Sequence, residues 1–146
     1  MGENLANPYP GSNASALQIL DLANEYYEAA MTLSKKREKE SLLASAPTRL
    51  CCIHAIELYL NAFLRHEGVP YKEIRSLMHN LSDPSLVKKL NLKRKTSEHL
   101  TAITEKREYL ISRYGPEMAA GQTELSRLTS TLTEIMTKVR IHILSA

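Results

Sequence analysis

Three short stretches place polar residues where chemistry would need them. The first is AIELYLNAFL at positions 55–64, a run of strong helix formers that holds one carboxylate, Glu57, with His54 just ahead of it. A helix apolar on almost every side belongs inside a bundle. A carboxylate in that setting has to be paired or hydrogen-bonded, because a bare charge in a low-dielectric interior is strongly unfavourable. The second stretch is MHNL at 78–81, whose His79 can bond Glu57 if the segment after the helix folds back over it. The third is YLISRYG at 109–115, where Tyr109 and Arg113 fall one turn apart and Tyr114 precedes a Gly-Pro stop. Arginine suits a bidentate carboxylate or a phosphate. Two roles therefore stand open. One is an internal Glu57–Arg113 pair that fixes helix register; the other is an Arg113 that holds a phosphate, with Glu57, His79, Tyr109 and Tyr114 around it.

Other polar residues carry weaker chemistry. Lys88, Lys89, Lys93, Arg94 and Lys95 put five cations into eight positions. They could follow a phosphate backbone, but no aromatic rings are interleaved for base stacking, and a water-facing loop is the simpler reading. Cys51 and Cys52 are the only cysteines and are neighbours in an apolar run. On a helix their side chains diverge by about 100°, and no further ligands stand at zinc spacing, so they read as small buried hydrophobes, with no metal and no cofactor. A Gly-rich phosphate loop, His-Glu-x-x-His and Gly-x-Ser-x-Gly are all absent from the sequence.

These residues need helices to position them. Residues 1–12 read as a Pro/Gly/Asn-rich flexible tail, and 13–146 as one helical domain. Ser12 or Asn13 can cap a first helix with a buried stripe of Leu17, Leu20, Ala23, Tyr27, Ala30 and Met31. The run Lys35 to Glu40, mixed in sign, marks a solvated end. A second helix is expected from Pro47 to Gly68, with Leu50, Ile53, Leu60 and Leu64 on one stripe and Cys52, Ile56, Tyr59 and Phe63 beside it. Val69-Pro70 starts a short helix through Ile74, Leu77 and Met78, and Asp83-Pro84 starts another. Thr96 can cap a fourth main helix that buries Leu100, Ile103, Leu110, Ile111 and Tyr114. The last helix carries Leu125, Leu128, Leu132, Ile135, Met136, Val139 and Ile143 at helical spacing. Strand-like alternation is missing, which makes the expected class all-α.

The totals agree with this picture. A length of 146 residues suits one domain with a real core, and 43% hydrophobic with 24% charged residues is ordinary for a globular chain. A net charge of +3 permits a nucleic-acid or nucleotide partner without demanding one. No apolar run approaches the ~18 residues of a membrane span. The N-terminus lacks the basic start and apolar core of a secretory signal, and with the cysteine usage this points to a reducing cytoplasm.

The three stretches, in this order within an all-helical chain, resemble the HEPN family of small helical domains. Residues 55–64 are similar to that family's A-x-E-x-x-L-K-A helix, 78–81 to its H-D-L segment and 109–115 to its Y-x-x-x-R-Y ending. The resemblance covers residues 15 to 145. It implies an up-and-down bundle of four main helices that pairs as a homodimer with a cleft at the pairing face. It also implies an association with nucleotide or RNA, and often a nucleotidyltransferase-type partner protein in a toxin–antitoxin or stress and defence setting. Many members are metal-independent RNases that use an arginine, four to six further residues and a histidine. No histidine stands at that distance after Arg113, so the expectation is a non-catalytic member that binds a nucleotide, RNA or a partner protein. Arg94 and His99 do have the nuclease spacing, which keeps an RNase using that pair as the alternative. A purely structural helical adaptor is the third reading.

Overall fold

Burial around more than half the circumference of one helix organises the chain. In the computed structural model, which describes residues 7–36 and 42–145, α1 spans Ala16–Lys36 and α2 spans Ala46–His66. They are followed by α3 (Tyr71–Ser76), α4 (Pro84–Leu90), α5 (Arg94–Glu105), α6 (Glu108–Tyr114) and α7 (Leu125–Leu144). Single 3-10 segments at Leu43–Ser45 and Pro116–Gly121 lead into α2 and α7. The regular structure of the described residues is entirely helical. No described helix is long and apolar enough to cross a membrane.

α2 starts with Pro47 in its first turn, where the missing N–H is harmless, and gives way to Gly68 at a φ of +89°. Both predicted stripes are buried except Leu50, which is half-buried. α1, α6 and α7 cover them. The pairs Tyr26–His54, Asn24–Tyr59 and Ala14–Arg65 run in opposite senses, so α1 and α2 are antiparallel. Contacts of Arg49 with Thr123 and of Phe63 with His142 run in the same sense, so α2 and α7 are parallel. Thr96–Glu134 and His99–Thr131 set α5 antiparallel to α7.

Polar groups at three points tie these helices together. Asn24 Oδ1 on α1 accepts from Tyr59 Oη of α2 at 2.6 Å and from Arg140 Nε and Nη2 of α7 at 3.1 and 2.8 Å. Burial pushes the Tyr59 phenol up to about 12, which keeps it a donor. Glu134 on α7 accepts from the Lys93 backbone N–H at 2.8 Å and from the Thr96 hydroxyl, capping α5 from another helix. Burial opposes the charge on Glu134, but hydrogen bonds from Lys138, Thr96 and Lys93 outweigh it and hold the carboxyl below its usual range. Third, Glu108, with no solvent exposure, accepts from Thr123 N at 2.8 Å and Thr123 Oγ1 at 3.1 Å and faces Arg49 Nη1 at 3.8 Å. The same Arg49 nitrogen donates to Thr123 O at 2.7 Å.

Several expectations need correction. The first helix is capped by Ser15 rather than Ser12 or Asn13: Ser15 Oγ accepts from Gln18 N at 3.1 Å, and Gln18 Oε1 accepts from Ser15 N at 2.9 Å. Leu17 is 54% exposed, since it lies roughly a quarter-turn away from the centre of the stripe formed by Leu20, Ala23, Ala30 and Tyr27. The short helix after Val69-Pro70 ends at Ser76, and Leu77 and Met78 lie in the turn beyond it. The predicted fourth helix is two helices, broken at Lys106 and at Arg107, which is left-handed at a φ of 54°. Thr96 lies inside the first turn of α5 and is fully buried, with Lys93 at the cap position. Tyr114, the last residue of α6, is 75% exposed although Ile111 one turn earlier on the same face is buried. The second half of the expected tail is tied down: Tyr71 Oη donates to Pro10 O at 3.1 Å, Arg65 donates to Ala14 O and Ser12 O, and Arg75 lies over the Tyr9 ring. Residues 37–40 of the predicted charged run lie outside the described residues.

Breaking a buried ion pair on one side leaves an uncompensated charge, at a cost of about 3–5 kcal/mol. Arg49→Met should therefore destabilise the fold by about that amount, whereas the paired change Arg49→Met with Glu108→Leu should recover much of it. Urea unfolding of the single and double variants checks this.

Candidate functional site

The segment between α3 and α4 delivers His79 to α2. Met78 and His79 are both left-handed, at φ of 46° and 71°, a conformation that costs about 1–2 kcal/mol per non-glycine residue. The turn is held by Asn80 N donating to Leu77 O at 2.9 Å, Leu81 N donating to Thr104 Oγ1 at 3.2 Å, and burial of the Leu81 side chain. Asn80 Oδ1 also accepts from Ser82 N at 3.0 Å. The result sets His79 Nδ1 3.0 Å from Glu57 Oε1. Tyr109, on the first turn of α6, stacks on the same imidazole, with ring centroids 4.5 Å apart and planes inclined by 23°.

Glu57 is thus answered by His79. The expected Glu57–Arg113 ion pair does not form: Glu57 has the His79 imidazole as its partner, and Arg113 is exposed with no ion pair among the described residues. Arg113 is on the same face of α6 as Tyr109, one turn further on. It remains close enough, with His79, for its charge to be felt at His54. There burial lowers the imidazole pKa most; Glu57 opposes that shift, while Arg113 and His79 add to it. His54 sits edge-on to Tyr26 at 4.5 Å, and its Nδ1 is buried without a hydrogen-bond partner.

The His79 and Glu57 side chains are 40% and 21% exposed. A pair this open adds at most about 1 kcal/mol to stability, so orientation is its main consequence. With Nδ1–H donated to the carboxylate, Nε2 is left to face a ligand. The space enclosed behind the pair, against Leu60, Leu77 and Leu86, is about 10 Å³, the lower limit for one water. A ligand must therefore meet the pair from outside. Met78, next to His79, is 78% exposed. Of the residues expected to cluster, Glu57, His79 and Tyr109 are joined through the imidazole, Arg113 lies one turn beyond Tyr109 on the same face of α6, and Tyr114 ends that helix in solvent.

The alternative pair is taken apart. The Arg94 side chain is 90% exposed and bridges to Glu98 one turn on at 3.4 Å. His99 is 5% exposed, with Nδ1 2.8 Å from Thr131 Oγ1 and Nε2 2.9 Å from Thr123 Oγ1. Thr123 spends its hydroxyl proton on Glu108, so Nε2–H donates to Thr123 and Nδ1 accepts from Thr131. Both nitrogens are engaged in the core, and five positions on a helix put the two side chains on different faces. Burial, with Arg127 and Arg49 nearby, drives the His99 pKa down to about 4. His99 belongs to the Arg49–Glu108 network, and Arg94 belongs to the surface.

Lys88, Lys89, Lys93, Arg94 and Lys95 are all exposed around the α4–α5 connection. Cys52 is fully buried and its thiol is pushed up to about 12 by burial, leaving it unreactive, and Cys51 is half-buried. No three His, Cys, Asp or Glu side chains among the described residues gather as a metal centre requires. The sequence reading missed the linked set of Arg49, Glu108, Thr123 and Thr131 around His99. The signal against it was strong: arginine and glutamate default to solvent, and only a partner far along the chain changes that.

Because the folded state keeps His99 neutral down to about pH 4 while the unfolded chain protonates it near 6.5, its contribution is fully present above about pH 6.5. Stability is then lost as the pH falls from there towards 4. Lowering the pH from 7.5 to 5 should cost about 2 kcal/mol at this residue. Urea titrations of the parent and of His99→Gln at the two pH values measure the difference, and an equal pH dependence in both would contradict the assignment. In comparison with known proteins, the chain matches no family model, no curated protein and no solved structure.

Proposed function

We propose that this chain is a HEPN-like domain, an up-and-down bundle in which α1, α2, α5 with α6, and α7 are the four main members. On this reading it pairs as a homodimer and uses the Glu57, His79, Tyr109, Arg113 and Tyr114 cluster to bind a nucleotide or an RNA phosphate without cleaving it. The toxin–antitoxin or stress and defence setting, with a nucleotidyltransferase-type partner, and the cytoplasmic location belong to the same proposal. The alternating directions of α1 and α2, and of α5 and α7, support the bundle.

One observation carries the binding reading. Arg113 is an exposed guanidinium with no ion pair among the described residues, one turn along α6 from the Tyr109 ring that stacks on a histidine held in place by Glu57. A cation without a partner, an oriented imidazole and an aromatic ring form a set that recognises a phosphate attached to a planar group. Met78, 78% exposed next to His79, supports a protein surface over this face, as a homodimer or partner would supply. Nuclease action through Arg94 and His99 gains no support from a buried, doubly bonded imidazole.

Calorimetric titration with nucleoside monophosphates and short RNA should give saturable binding that weakens about tenfold in Arg113→Ala. Absence of binding at millimolar ligand would remove the nucleotide reading. Loss of total RNA that disappears in His79→Ala would instead turn the cluster into a catalytic one. Light scattering should report a dimer, and a monomer at high concentration would count against the pairing.

A further inference from the structure

Next to the cluster lies a second, larger hollow that the polar pair does not fill. It is a cavity of about 490 Å³ between the start of α1, the middle of α2 and α3, a volume within the range of small-molecule sites. Ile19, Leu58 and Ile74 supply apolar walls, and the Tyr71 ring adds an aromatic one. The chain segment at Pro10 and Gly11 forms the outer wall, tied on by Tyr71 Oη at 3.1 Å from Pro10 O. Gly11 has a φ of +94°, and a Cβ there would lie 3.6 Å from the Tyr71 ring, so this wall approaches the ring closely.

Three polar groups interrupt the apolar lining, and each has hydrogen-bonding capacity to spare. Gln18 spends its Oε1 on the helix cap, which fixes the carboxamide and leaves its NH2 to donate. Asn61 makes no side-chain hydrogen bond among the described residues. His54 adds its imidazole to the lining; the ring's Nδ1, unpaired among the described residues, is closed off from solvent. No Lys, Arg, Asp or Glu lines the cavity among the described residues, so that lining offers nothing to a charged group. What it offers is two apolar faces, an aromatic ring, and an edge of carboxamides and imidazole that can both donate and accept.

That combination fits a flat, uncharged heterocycle with donors and acceptors along its rim. Asn61 and Ile74 line both this cavity and the small gap behind the Glu57–His79 pair, so the two sites share a wall. We propose that the cavity lined by His54, Asn61, Gln18 and Tyr71 is a nucleobase pocket, which takes the base of the nucleotide whose phosphate meets Arg113. This rests on the nucleotide reading of the cluster and extends it: the base is recognised in the neutral cavity and the phosphate at the charged helix end.

Calorimetric titration of the full chain with the four nucleosides, which carry no phosphate, separates the two sites. At least one nucleoside should bind saturably. Ala14→Trp, which narrows the cavity from a partly exposed position, and Asn61→Leu should each weaken it by about tenfold or more. Arg113→Ala should leave nucleoside binding unchanged and weaken only the monophosphate. If no nucleoside binds at millimolar concentration, or if both cavity variants bind as the parent does, the base pocket is wrong. Binding of indole without any nucleoside would overturn it too, since the hollow would then select only apolar character. Monophosphate binding that depends on Arg113 while nucleosides fail removes the pocket and leaves the phosphate site. Nucleoside binding with no gain from phosphate does the reverse.

Discussion

A carboxylate without solvent exposure has to be answered by donors, and in this molecule the answer to Glu108 sets the geometry of everything near the site. Its partners come from two distant segments: Arg49 at the start of α2, and Thr123 just ahead of α7. To reach them the chain cannot run straight from α5 into α6. It turns instead through Arg107 in a left-handed conformation, whose cost of about 1–2 kcal/mol is small beside that of a stranded buried charge. Tyr109 and Arg113 follow Glu108 on the same short helix, so the orientation that satisfies the carboxylate also lays Tyr109 on His79 and leaves Arg113 in solvent.

The other polar junctions work in the same way. Asn24 collects donors from α2 and α7, and Glu134 collects them from the start of α5 and from Lys138. Between these points the helices touch through leucine, isoleucine and valine, whose attraction is large but has no direction. Apolar stripes decide that the helices pack. Hydrogen bonds of fixed length, from groups that cannot be left unpaired in the core, decide at what register they do so.

Stability and site formation are separated within the structure. The buried network around His99 holds Glu108 of α6, while the Glu57–His79 pair meets the next residue, Tyr109, is open to water and contributes little to folding. The turn that delivers His79 is strained at two consecutive residues. It is carried by neighbours such as buried Leu81.

Much of the fold was legible in the residues themselves. The stripes of α2 and α7 were read position by position, because helical periodicity is a local property and burial follows from it. Asp83-Pro84 announced α4 through cap chemistry alone, with Asp83 Oδ1 accepting from Ser85 N at 2.9 Å. The nearness of His79 to Glu57 was also foreseeable, since an apolar helix holding one carboxylate asks for a partner. The identity of that partner was not: arginine and histidine were equally suitable, and only the turn at Met78–His79 brought one of them within 3.0 Å. Nor did anything in the sequence announce the break at Arg107, the exposure of Tyr114 or the burial of Arg49 and Glu108. Sequence by itself determined the all-α class, the core faces and the candidate polar residues, because spacing and side-chain type act over a few residues. Tertiary structure alone decided which charges are buried and which are free, because that depends on partners brought from far along the chain.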